Sequence, residues 1–211
     1  MKKVLMVGGI VVAAVVVLAV VAVMAGVGVY NGLVAKEQAV DAAWAQVSNQ
    51  YQRRADLVPN LVKTVQGSAD FEKSTLESVI EARASVGRMT VDVKDAPESL
   101  AKLQEFQQAQ GRFGSALQRL LVVAERYPDL KASAGFRDLQ AQLEGAENRI
   151  AVERGRFNEV SRVYNTAIRK VPAVFFAAMM GFESKPYFEA ESGAEDAPEV
   201  EFDFGGATDG E

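Results

Sequence analysis

Residues 30–65 read YNGLVAKEQAVDAAWAQVSNQYQRRADLVPNLVKTV. Leu33, Val40, Trp44, Val47, Tyr51, Val58, Leu61 and Val65 fall three, four or seven residues apart. That is the period of a helix with one apolar face. Lys36, Glu37, Asp41 and Arg53 fall on the opposite face, so the stretch predicts a helix over Tyr30–Gln66 packed against others. Pro59 sits inside it, removing a backbone donor and crowding the carbonyl one turn back. The apolar period nevertheless runs unbroken from Tyr51 through Val58 to Val65. The reading is therefore a helix kinked at Pro59, not one that ends at Asp56.

Outward to the N-terminus lies an uncharged apolar run, Val4 to Val29, behind Lys2 and Lys3. As a helix it is about 39 Å long, against about 30 Å of bilayer hydrocarbon. Val23-Met24-Ala25 resembles a signal-peptidase site, but the run is roughly twice a secretory apolar region. The expectation is a retained transmembrane anchor over residues 1–29. The two leading lysines favour a cytoplasmic N-terminus, an exported body and a single pass through the cell membrane.

Outward to the C-terminus, Gly67 with Ser68 and Asp70 reads as a helix stop and restart. A second helix is expected over 70–88, a loop from Met89 to Pro97, and a third helix over 98–126. Tyr127-Pro128-Asp129 breaks the third. A fourth runs over 135–170 on a stripe of Phe136, Leu139, Leu143, Ala146, Ile150, Phe157, Val160, Tyr164 and Ile168. Pro172 ends it. Four helices with short connections pack as antiparallel neighbours. The fold class is thus all-α: a transmembrane helix followed by an antiparallel up-and-down four-helix bundle over residues 30–171.

Residues 172–188 form an apolar, membrane-proximal segment, too short to span. Phe175, Phe176, Met179 and Phe182, next to Arg169 and Lys170, suit the headgroup boundary of a bilayer. The alternative is that the segment closes the end of the core. Residues 189–211 hold nine acids and no Lys or Arg, and read as a disordered tail. Those nine acids exceed the chain's net charge of −5, so the body is mildly basic. Neither part is charged strongly enough to point to nucleic acid.

The chain has no cysteine and no histidine. Thiolate nucleophiles, cysteine–zinc sites and the commonest general base are thereby excluded. Gly26-Val27-Gly28 with Gly32 follows no strand and makes no dinucleotide loop. Glutamates on the helix faces read as solvated. The best candidate for a special site is Arg53, Arg54 and Asp56 with Pro59 and Asn60. There Asn60, or Asp56 with an arginine, would bond to carbonyls that Pro59 leaves unpaired. Asn148 and Asn165 lie close to the fourth helix's apolar stripe and read as register-fixing hydrogen bonds.

Several ordered segments carry a resemblance: Tyr30-Asn31-Gly32-Leu33-Val34, Ala43-Trp44-Ala45-Gln46-Val47, and above all Gln50 to Val62, QYQRRADLVPNLV. Glu125-Arg126-Tyr127-Pro128-Asp129-Leu130, Glu147-Asn148-Arg149-Ile150-Ala151 and Val163-Tyr164-Asn165 extend it. In these the chain resembles the LemA family over residues 30–204, with Ser68 where members often carry an aromatic. The resemblance implies a bacterial membrane-anchored helical bundle. It supplies no settled activity, though some members act in building specialised membranes such as those of magnetosomes.

The expected function is that of a non-enzymatic membrane scaffold or interaction protein with no cofactor, no metal and no small-molecule substrate. Its expected partners are the lipid bilayer and other membrane proteins or itself. The alternatives are an accessory subunit of a membrane protease or transporter, and an enzyme using a carboxylate pair in a pocket.

Overall fold

The computed structural model describes residues 2–67, 71–92, 96–97 and 99–189. The described residues form six helices and no strand: α1 (Lys2–Gln66), α2 (Lys73–Asp92), α3 (Leu100–Ala124), α4 (Pro128–Ala132), α5 (Ala134–Arg169) and α6 (Ala173–Met180).

α1 has 65 residues, about 98 Å at ~1.5 Å per residue. It continues through Tyr30 without a break, so the apolar run and the first body helix are one rod. Within the apolar run an 18-residue window has mean hydropathy 3.1 and none of it is buried. This is one helix long and apolar enough to cross a membrane. The helix also continues through Pro59 and does not end at Asp56. The whole apolar stripe from Leu33 to Val65 is buried, while Pro59 and Asn60 face solvent. A proline on the outer face keeps its ring clear of the core and removes only one ladder bond.

The other boundaries shift for local reasons. α2 runs on through Met89 to Asp92, where a loop was expected. The expected caps at Ser68 and Asp70 lie outside the described residues. Ser99 caps α3 by accepting from the Lys102 N–H at 3.3 Å, and Ser133 caps α5 by accepting from the Phe136 N–H at 3.3 Å. Pro128 does not simply break the chain. It occupies the first turn of α4, where its missing N–H has no partner to lose. Ile80 of α2 and Leu100 of α3 are 48% and 45% exposed.

Partners on α5 fall in number as those on α1 rise. Trp44 meets Phe157, Arg54 meets Glu147, and Thr64 faces Gly135. The apolar interior divides in two. One cluster joins Val58, Leu61 and Val65 of α1 to Leu76, Val79 and Val86 of α2, Phe113 and Leu120 of α3, and Phe136 and Leu143 of α5. The other joins Leu33, Val40, Trp44 and Tyr51 to Leu103 and Phe106 of α3 and to Ile150, Phe157, Tyr164 and Ile168 of α5. α2 contributes no described residue to this second cluster. At about 30 Å it is too short to flank the roughly 54 Å of α5. Ala177 of α6 and Phe188 of the segment after it close the gap.

α6 was expected as an apolar stretch without assigned structure. It is an eight-residue helix that ends on Gly181, whose φ of 77° is the left-handed conformation glycine adopts most readily. It folds back against α1. A Cβ on Gly26 would lie 3.2 Å from the Phe176 ring, so the absent side chain is what lets α6 seat there. Phe182 packs edge-on to Tyr30 with ring centroids 5.8 Å apart. The tail from residue 190 lies outside the described residues. Glu189, its first expected residue, does not: it is held against the helices.

Candidate functional site

The residues expected to form one site around Pro59 are split between two faces. Arg53, Asp56, Pro59 and Asn60 are exposed. Arg54 points inward and is 3% exposed. The signal was present in the spacing: Arg54 stands three residues after Tyr51 and four before Val58, on the buried stripe itself.

Arg54 sits where the two apolar clusters meet. Its guanidinium lies 5.3 Å from the Tyr51 ring centre on one side and 5.0 Å from that of Phe113 on the other. Its Nη2 donates to Gln110 Oε1 at 2.6 Å and approaches the Gln110 carbonyl at 3.3 Å, and Nη1 pairs with Glu147. One buried cation thereby ties α1 to α3 and α5. A buried charge is tolerable only with such partners, and removing one of them strands the rest. Burial also holds the Tyr51 phenol above its ordinary pKa of 10.0, against the lowering pull of Arg154 and Arg54.

The carbonyl freed by Pro59 is that of Ala55, four residues earlier. It is bound by Arg83 of α2, whose Nε donates to it at 2.8 Å. The expected partners do otherwise. Asp56 accepts from Gln52 at 2.7 Å, and the Asn60 carbonyl accepts from Thr64 at 2.9 Å. The proline thus becomes a docking point for α2.

Asn165 is buried, as expected near the stripe, but its partner is the chain after α6. Its Nδ2 donates to the Lys185 carbonyl at 2.8 Å and to the Tyr187 hydroxyl at 2.9 Å, and its Oδ1 accepts from the Lys185 N–H at 2.8 Å. Asn158, not singled out from sequence, does the same one step further along. Nδ2 donates to the Phe188 carbonyl and Oδ1 accepts from the Phe188 N–H, each at 2.8 Å. Between them Glu183–Glu189 forms a strap along α5. Phe188 is its anchor, stacked on Trp44 with centroids 6.0 Å apart and edge-on to Phe157 at 5.5 Å. Lys185 adds an ion pair to Glu37 of α1 at 3.2 Å. Asn148 is exposed and does not fix register in the core.

Asn148 instead lines a cleft of about 980 Å³ between α3 and α5, with Arg54 and Gln110 in its floor and Arg154 and Glu189 at one end. The described residues contain no cluster of three or more acidic side chains able to hold a metal ion. Tyr164 is fully buried in the second cluster, away from the cleft, and burial together with Glu37, Asp41 and Glu183 pushes its phenol up to about 12.

Phe175 and Met179 are 70% and 73% exposed, whereas Phe176 and Phe182 turn toward α1. The four expected membrane-contacting residues are therefore divided: α6 has one apolar face on α1 and one uncovered.

The sequence matches the LemA family over residues 43–202, about three quarters of its length. The chain belongs to the LemA family. Among curated proteins it is similar to the magnetosome protein MamQ of Magnetospirillum gryphiswaldense, 30% identical over 188 residues. It is also similar to MamQ 1 and MamQ 2 of Paramagnetospirillum magneticum, each 27% identical over 191 residues. In each case the match covers 80% of this chain and 67% of the relative.

Proposed function

We propose that this LemA-family chain is a non-enzymatic scaffold of the cell membrane. A single-pass anchor carries an antiparallel up-and-down helical bundle. The reversed pairing of α1 with α5 supports that topology. The bundle is four helices deep around Leu61 and three deep around Trp44, where α6 and the strap complete it. The N-terminus is cytoplasmic, behind Lys2 and Lys3, and the body is exported. Its partners are the bilayer and other membrane proteins or copies of itself. No cofactor, metal, nucleic acid or small-molecule substrate enters this reading.

The observation that carries it is the continuity of α1. The helix that is long and apolar enough to cross a membrane is also the longest wall of the bundle. A rod of this kind transmits the anchor's pose to the body. α6 offers a second contact: Phe175, Met179 and Val171 are uncovered beside the level of Gly26, with Arg169 and Lys170 just before them. An apolar face flanked by cations suits the edge of a bilayer. Glu147, which lines the cleft with Glu144 and Glu189, is engaged by Arg54, which supports a structural role for that pair. The likeness to proteins named for the magnetosome supports a membrane-structural role.

The test is crosslinking in intact cells, followed by mass spectrometry, of the full chain against its residues 1–29 fused to an unrelated soluble body. The expected result is a set of membrane proteins, or the chain itself, captured by the full chain and not by the fusion. Equal capture by both would overturn the scaffold reading.

A further inference from the structure

The strap is held by one repeated device. The carboxamides of Asn165 and Asn158 each give a donor and an acceptor to a single strap residue, as a neighbouring β-strand would. The two asparagines are seven residues apart, on one face of α5. The strap runs opposite to α5: Lys185 lies at Asn165, Phe188 at Asn158, and Glu189 at Arg154. Arg154 Nη2 donates to the Glu189 carbonyl at 3.1 Å, and Gln107 of α3 approaches the same oxygen at 3.5 Å. At that point the α3–α5 cleft begins.

The cleft repeats the chemistry that holds the strap. Gln104, Gln108 and Gln118 of α3 and Asn148 of α5 line it, over Gln110. Gln110 Nε2 and Arg54 Nε have no hydrogen-bond partner among the described residues, although their side chains are 4% and 3% exposed. Leaving a buried donor unpaired is unfavourable. Donors of this kind lie in line with the path the strap is already following.

We propose that this cleft is the docking groove for the chain's own residues 190–196, which continue the strap between α3 and α5. The segment reads AESGAED. In an extended chain alternate side chains share a side. In that pattern Ala190, Ser192 and Ala194 would share the side of Phe188, and Glu191 and Glu195 would take the other. Small inward side chains let the main chain approach the carboxamides. From Arg154 back to Leu143, α5 covers about 16 Å at ~1.5 Å per residue. An extended chain covers that in about five residues at ~3.3 Å each. Covalent connection at Glu189 supplies a high effective concentration. The LemA match extends to residue 202, so the family pattern takes in this segment.

The absence of cysteine makes the test direct. Gly111 lines the cleft and Gly145 does not, and a Cβ on either meets nothing within 4 Å. Full-length chains carrying Ser192→Cys with Gly111→Cys, or Ser192→Cys with Gly145→Cys, are oxidised in membranes. The Gly111 pair is expected to close an intramolecular disulfide at least about tenfold faster, because docking raises the local concentration of one thiol at the other. In the Gly111 pair, Gln110→Leu should reduce that advantage. Equal rates for the two pairs would overturn the proposal. A disulfide joining two copies would also overturn it, by assigning the groove to a neighbour's tail.

Discussion

Phe188→Ala removes the side chain on which the strap turns inward. Phe188 is 6% exposed, lies between Trp44 and Phe157, and has the Arg154 guanidinium 4.7 Å from its ring centre. Truncating a phenylalanine in a rigid core costs about 3–5 kcal/mol. Here the expected loss is smaller, about 2–3 kcal/mol. The strap is a single segment and can lift away, regaining the chain entropy that docking removed. Part of the loss then comes from Trp44 and Phe157, which become wet. The assay is urea unfolding of residues 30–189, which retain the buried residues of both apolar clusters. Helix circular dichroism reports global unfolding. Trp44 is the one tryptophan of the chain, so its emission reports the strap directly and should shift red in the variant before any helix is lost. A loss below about 1 kcal/mol with unchanged emission would refute the strap as a structural element.

Arg83→Met should cost about 1–3 kcal/mol by leaving the Ala55 carbonyl without its donor. In a Pro59→Ala background the residue-59 N–H can return to that carbonyl, so the same change should cost distinctly less; a double-mutant cycle in urea measures the difference, and additivity would count against the pairing. Tyr164 predicts an alkaline limb. Its folded-state pKa of about 12 lies above the ordinary 10.0, so its contribution is whole below pH 10 and is lost as pH rises toward 12. Tyr164→Phe should flatten that limb in stability curves measured across the window, and an unchanged limb would place the phenol elsewhere.

The apolar interior was legible in the sequence because each apolar stripe has a long, regular period, whereas the joining of the apolar run and the first body helix into one rod was not. Every stripe residue of α1 from Leu33 to Val65 is buried. What else was not legible shares one physical trait: it depends on partners distant in the chain. Glu183–Glu189 has no helical period and only two large side chains, the adjacent Tyr187 and Phe188, so its docking could not be read without Asn158 and Asn165 beside it. α6 is apolar at every position, and eight residues hold barely two turns, so which face meets α1 was undetermined. Arg54 is the exception: its place on the stripe, apart from Arg53, follows from helical spacing alone. The partner of the Ala55 carbonyl came from α2, beyond the reach of any local rule about proline.

The central claim is that the body meets the bilayer at α1 and again at α6. The most direct measurement is the accessibility of single nitroxide labels in the full chain, reconstituted into bilayers, to oxygen and to a water-soluble nickel chelate. Labels are placed at Leu18→Cys, Phe175→Cys, Met179→Cys and Val152→Cys, all at positions exposed in the structure. The account predicts that labels at 175 and 179 behave like the one at 18, open to oxygen and shielded from the chelate, while the label at 152 is open to the chelate. Labels at 175 and 179 that are as chelate-accessible as the one at 152 would contradict it.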